Sequence, residues 1–169
     1  MLRRRRHRNR IGGQPGRAVV RAYPDTSFLY GFYLKQSNSP AAAAHAATMK
    51  EPLHVTELLR YEFRQSLRFQ VWRRALNPRE GVLRADADAA LNQLEADLLS
   101  GLAVLVPCDF QEVLRRADDL SQRHTIKEGS RSFDILHVAT ALHLAAKEFL
   151  TFDEKQRRLA AVAGLAVKP

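Results

Sequence analysis

The sequence predicts an α/β domain with a mainly parallel sheet. Short apolar runs alternate with longer helical stretches along the chain, the pattern of repeated β–α units. One run, residues 102–106, is continuously apolar and bounded by Gly101 and Pro107, as suits a buried parallel strand. Acids follow two of the runs directly, where open parallel sheets collect ligands. With 169 residues the chain fits one domain, and its 8 Gly and 7 Pro show no internal period, which excludes collagen-like, disordered and repeat architectures.

Residues 18–23 read as the first strand, ended by Pro24 and Asp25. A helix over residues 26–36 follows, with Phe28, Leu29, Phe32 and Tyr33 one turn apart. Residues 37–52 form a Ser-, Pro- and Ala-rich connector with room for a short helix, and residues 53–55 a second strand. From Thr56 as N-cap a long helix runs toward Leu76 and stops before Asn77 and Pro78. Residues 80–99 are helical, and the apolar run at 102–106 is the third strand. Asp109 caps a helix to about His124, residues 125–131 form a polar loop, and Ser132 caps the helix over 133–147. Residues 148–152 are a strand, Asp153 opens a helix to about Ala163, and residues 165–167 close the chain as a last strand.

The net charge of +9 is concentrated at one end. Six arginines lie in residues 1–10, which contain no acid, so the remainder carries only +3. Residues 1–17 are expected to be a basic, disordered arm that holds phosphates by charge alone, and residues 18–169 the folded domain. No apolar stretch follows the arm as in a signal peptide, and no run is long enough to span a membrane. The single Cys108 forbids an internal disulfide and suits a reducing cytoplasm.

Four acids stand out. Asp25 and Asp153 each follow a strand, and Asp134 lies in the first turn of a helix. Capping explains each of them taken singly. Glu62 is different: it sits four residues after Leu58 and three after Leu59, at or near the apolar stripe of its helix. A carboxylate there is costly unless it is paired or binds a cation. If the four converge they need a counter-charge, and Mg²⁺ or Mn²⁺ prefers oxygen ligands of this kind.

The segments YPDTSFLYGFYLKQ at 23–36, HVTELLRYEF at 54–63 and RSFDILHVATALHLAAKEFLTFDEKQRRLAAVAGL at 131–165 resemble the PIN-domain nucleases, above all the VapC-type toxins of bacterial toxin–antitoxin pairs. The third segment is the most specific: an aspartate opening an Ala-rich helix, then a short apolar strand ending in Thr-x-Asp. The resemblance extends from about residue 18 to the end. It implies a three-layer α/β/α PIN-like fold around a mainly parallel sheet of four to five strands. It also implies that Asp25, Glu62, Asp134 and Asp153 are catalytic residues and the ligands of one or two Mg²⁺ or Mn²⁺ ions. Asp25 and Asp134 would be the main ligands, with Glu62 and Asp153 binding a second ion or positioning water. Thr26 or Ser27 and Thr151 resemble hydroxyls that orient water or a phosphate oxygen. Pro24 departs from the ordinary apolar residue of the family. It removes a ladder donor at the end of a central strand and is expected to shift Asp25 slightly.

The activity implied is metal-assisted hydrolysis of RNA phosphodiester bonds. The partners implied are an RNA substrate, a second copy in a homodimer, and an antitoxin that blocks the acidic cleft, for which an inserted Arg would be suited. His137, one turn after Asp134, has a packed core position as its commoner role and support of a ligand carboxylate as the alternative. Arg123, Lys127 and Arg131 precede Asp134 and are weaker candidates for a phosphate groove. Phe69 and Trp72, spaced i, i+3, read as packing or a dimer face. Ser27 stands where a haloacid-dehalogenase phosphatase needs a second aspartate, and Asp-Thr-Ser replaces the glycines of a dinucleotide-binding turn. The readings that remain beside a toxin are a housekeeping RNA-processing nuclease without an antitoxin and a non-catalytic RNA-binding scaffold.

Overall fold

The computed structural model describes residues 20–169; the basic arm expected at residues 1–17 lies outside the described residues. Five strands and eight α-helices follow one another as β1 (Ala22–Pro24), α1 (Thr26–Tyr33), α2 (Ser39–Thr48), β2 (Leu53–Val55), α3 (Glu57–Leu76), α4 (Arg84–Ser100), β3 (Ala103–Leu105), α5 (Phe110–Leu120), α6 (Ile126–Glu128), α7 (Ser132–His143), β4 (Glu148–Leu150), α8 (Glu154–Val162) and β5 (Ala166–Lys168). Every recorded strand pair is parallel. Helices α1–α4 pack among themselves, as do α5–α8, which with the sheet makes the three-layer arrangement. Tyr23, Phe28, Leu59, Phe63, Leu67 and Phe149 are fully buried in one core. No described helix is long and apolar enough to cross a membrane.

The strands form two ladders, β1-β4-β5 and β2-β3, with β2 packed alongside β1 without a ladder between them. Pro24 supplies a physical reason. Arg21 O accepts from Glu148 N at 3.0 Å, and Asp25 N donates to Leu150 O at 2.9 Å, so the odd-numbered residues of β1 bond to β4. Successive residues of a parallel strand bond to opposite neighbours. The missing N–H of Pro24 therefore falls on the β2 side. The strand runs through Pro24 instead of ending before it, and the position of Asp25 is fixed from the β4 side by its own amide.

Local chemistry sets the helix boundaries. Thr56 Oγ1 accepts from Leu59 N at 3.3 Å and caps α3, and Arg60 and Arg64 on α3 both bind Glu95 on α4, tying the two helices together. Three expectations are corrected. β3 pairs only with β2, leaving Leu102 and Leu105 exposed, so the apolar run at 102–106 is an edge strand. The loop expected at 125–131 is largely helical: after α5 the chain widens into a π-type turn over Ser121–Thr125 and continues as α6. Arg131, in extended conformation, and not Ser132, stands at the N-cap position of α7, where its N–H donates to Asp134.

Candidate active site

The carboxyl ends of β1 and β4 lie side by side, and the loops leaving them carry the first and last of the four acids. Asp25 is fully buried and caps α1. Its Oδ1 accepts from Phe28 N at 2.9 Å and from the Ser27 hydroxyl at 2.7 Å, and its Oδ2 accepts from the Thr151 hydroxyl. Ser27 Oγ in turn accepts from Phe152 N at 2.8 Å, and Thr151 Oγ1 from Asp153 N at 2.9 Å. The loops after β1 and β4 are thus cross-linked through two hydroxyls. Asp153 caps α8, accepting from Lys155 N at 2.8 Å and Gln156 N at 2.9 Å. Asp134, half-buried in the first turn of α7, accepts from Arg131 N at 3.2 Å.

Glu62 reaches the same region from α3. Its Oε2 accepts from the Thr26 hydroxyl and bonds to Nε2 of His137. His137 is fully buried on α7, and its Nδ1 lies 3.3 Å from the Tyr23 hydroxyl, which is 3.0 Å from Thr56 Oγ1. His137 therefore combines both roles weighed for it: it is a core residue, and it holds one of the four acids. Tyr23 was not singled out in the sequence, and Thr56 was read there only as the N-cap of its helix. One signal was present there, because Tyr23 and Asp25 are two residues apart on a strand and share a face, and a buried tyrosine hydroxyl needs a partner.

The electrostatics join Asp134 to Glu62 and Asp153, while Asp25 answers to its burial. Burial pushes Asp25 up from 3.8 to about 6, against the lowering effect of bonds from Thr151, Ser27 and Phe28. Burial also raises Asp134, and the neighbouring charges of Asp153 and Glu62 raise it further. At Glu62 burial acts upward, but bonds from His137 and Thr26 outweigh it and hold the carboxyl below its usual range. Oxygen donors such as these, one of them fully buried, fit a hard divalent cation in kind. Among the described residues, however, no three His, Cys, Asp or Glu side chains are arranged to enclose an ion.

The supporting hydroxyls are bonded to the acids themselves. Thr26, Ser27 and Thr151 direct their protons at Glu62 and Asp25 and so orient those carboxylates. Of the basic candidates, Arg123 is exposed and donates to Asp119 O at 3.0 Å within the π-type turn. Lys127 and Arg131 are also exposed, on the segment leading to Asp134.

A parallel α/β/α domain with Asp25 and Asp153 on the loops after its strands and Glu62 and Asp134 on helices beside them defines a class, and comparison with known proteins names it. The PIN domain model matches residues 22–162, and the chain belongs to the PIN domain family. Among solved structures it is similar to VapC20 of Mycobacterium tuberculosis, a Sarcin–Ricin loop cleaving toxin, with 19% identity over 88% of this chain and 99% of that one and a TM-score of 0.60. FitAcB of Neisseria gonorrhoeae is similar with 16% identity over 88% and 96% and a TM-score of 0.60. VapBC-1 of nontypeable Haemophilus influenzae follows with 12% identity over 87% and 96% and a TM-score of 0.58. At these identities the likeness is one of fold. No curated protein matches the chain.

Proposed function

We propose that this protein is a metal-dependent endoribonuclease that hydrolyses RNA phosphodiester bonds, and that it is the toxin of a toxin–antitoxin pair. The observation that carries the reading is the setting of the carboxyls: burial raises Asp25, and burial together with the charges of Asp153 and Glu62 raises Asp134. Asp25 and Asp134 are the residues we assign to hold Mg²⁺ or Mn²⁺, with Glu62 and Asp153 completing the set. Bound there, the ion would activate water for in-line attack and offset charge on the leaving oxygen. The chain's own work is to fix the carboxylates. Ser27 and Thr151 hold both oxygens of Asp25, Thr26 and His137 hold Glu62, and main-chain amides hold Asp134 and Asp153. Exposed Lys127 and Arg131, beside the loop that leads to Asp134, are placed to meet an RNA backbone.

The partner assignments rest on the fold shared with VapC20 and VapBC-1 and on exposed apolar side chains. Tyr61, Leu105 and Phe110 line a groove of about 620 Å³, and Phe69 and Trp72 stack on the surface of α3 with ring centroids 5.2 Å apart. A homodimer would cover such surface. We assign the protein to the cytoplasm because Cys108 is a lone thiol.

The test is cleavage of a mixed RNA pool by purified protein in EDTA, Mg²⁺ or Mn²⁺, beside Asp25→Ala and Asp134→Ala. Cleavage that requires the ion and disappears in both variants is the expected result. Folded wild-type protein that binds RNA and never cuts it would move the assignment to an RNA-binding scaffold.

A further inference from the structure

We propose that Tyr23 and His137 are positioning residues for Glu62, joined to Thr56 in a hydrogen-bond chain that runs in one direction, Thr56 to Tyr23 to His137 to Glu62. The importance attached to Glu62 rests on the ribonuclease reading above; the direction of the chain does not.

The direction follows from the inventory of donors and acceptors. An ionised carboxylate only accepts, so Nε2 of His137 carries the proton that meets Glu62 Oε2. With that proton on Nε2, the neutral ring offers Nδ1 as an acceptor, and the Tyr23 hydroxyl 3.3 Å away donates to it. Tyr23 Oη then accepts from the Thr56 hydroxyl at 3.0 Å. Thr56 Oγ1 accepts from Leu59 N at 3.3 Å, so every polar atom along the path has a partner. The reverse direction fails on the same count. It needs a second proton on the imidazole, and it leaves the proton of the fully buried Thr56 hydroxyl without an acceptor.

The path begins and ends on one helix. Thr56 is the N-cap of α3, Glu62 lies less than two turns further along α3, and the chain between them crosses β1 at Tyr23 and α7 at His137. It fixes which ring nitrogen faces the cleft, and so where the Glu62 carboxylate stands. An outer partner that orients a ligand in this way is typically worth about 10–100-fold in metal affinity.

Two measurements on the full chain test this. Nitrogen-15 NMR of the His137 ring reads the tautomer directly: protonated Nε2 and a hydrogen-bonded, unprotonated Nδ1 are expected, with the Nδ1 resonance moving toward that of a free imidazole nitrogen in Tyr23→Phe. Calorimetry with Mn²⁺ alone reads the placement of Glu62. Affinity is expected to fall roughly tenfold or more in Tyr23→Phe and His137→Leu, and to stay close to wild type in His137→Gln, whose amide restores a donor toward Glu62. A proton on Nδ1 in the wild type overturns the proposal, as does wild-type Mn²⁺ affinity in folded His137→Leu. If Tyr23→Phe does not fold, the wild-type tautomer and the Gln and Leu pair decide. If the wild type binds no Mn²⁺, the ribonuclease reading falls, while the ring nitrogens still judge the chain.

Discussion

Asp25 carries the sharpest conflict between stability and chemistry. In the fold its carboxyl takes up a proton near pH 6, whereas an unfolded aspartate does so near 3.8. A group raised in the folded state contributes stability at low pH that is lost as the pH rises through the folded value. The difference corresponds to roughly 3 kcal/mol. Asp134 shifts in the same direction, and Glu62 in the opposite one, its contribution being lost only as the pH falls through a value below 4.5. Metal-free protein should therefore become more resistant to urea as the pH drops from 7 toward 5. Mn²⁺ should flatten that trend, because it binds the ionised form. Asp25→Asn should raise metal-free stability at pH 7.5 by about 1–3 kcal/mol and abolish cleavage. A urea midpoint that is flat between pH 5 and 7.5 in EDTA would contradict the burial argument.

At the scale of elements, the gap between β1 and β2 has a direct test. Pro24→Val supplies an amide aimed at β2 and a side chain suited to a buried strand. Hydrogen exchange should show that amide protected; free exchange in a folded variant would mean that the missing donor is not what keeps the ladders apart. Pro24 was legible as an irregularity, but the direction of its missing N–H depends on the register with β4, which no local pattern encodes. The same division holds elsewhere. Thr56, Asp109 and Asp153 as caps, and the end of α3 at Leu76, follow from side-chain chemistry within a few residues. The edge position of β3 depends on what lies beside it, and the bond from His137 to Glu62 spans 75 positions. The sequence marked Asp25, Asp134 and Asp153 at the starts of helices and Glu62 on a helix face; that Ser27 and Thr151 both donate to Asp25 becomes intelligible only once β1 and β4 are adjacent.

On the scale of the whole molecule, charge and apolar surface are separated from the core that holds the acids. The described domain leaves Tyr61, Phe69, Trp72, Leu76, Leu105, Phe110 and Leu114 exposed, more apolar surface than a solvated monomer needs. Co-expression with the product of a neighbouring small gene, as the toxin reading requires, should yield a complex on affinity purification, and cleavage activity should be absent from that complex. Recovery of the nuclease alone, still active, would remove the antitoxin from the proposal and leave a housekeeping enzyme.

Three of the four acids also begin helices: Asp25 starts α1, Asp134 braces the first turn of α7, and Asp153 starts α8. On the proposed nuclease reading, catalysis and architecture constrain the same atoms in different ways, because a cap requires only an oxygen that accepts from main-chain N–H, whereas metal binding requires a charge. That asymmetry prescribes how such a domain decays. Descendants released from the need to cut RNA keep their shape most readily by exchanging these aspartates for Asn or Ser, so the scar of a lost activity would be a neutral oxygen at each helix start, with the fold around it intact.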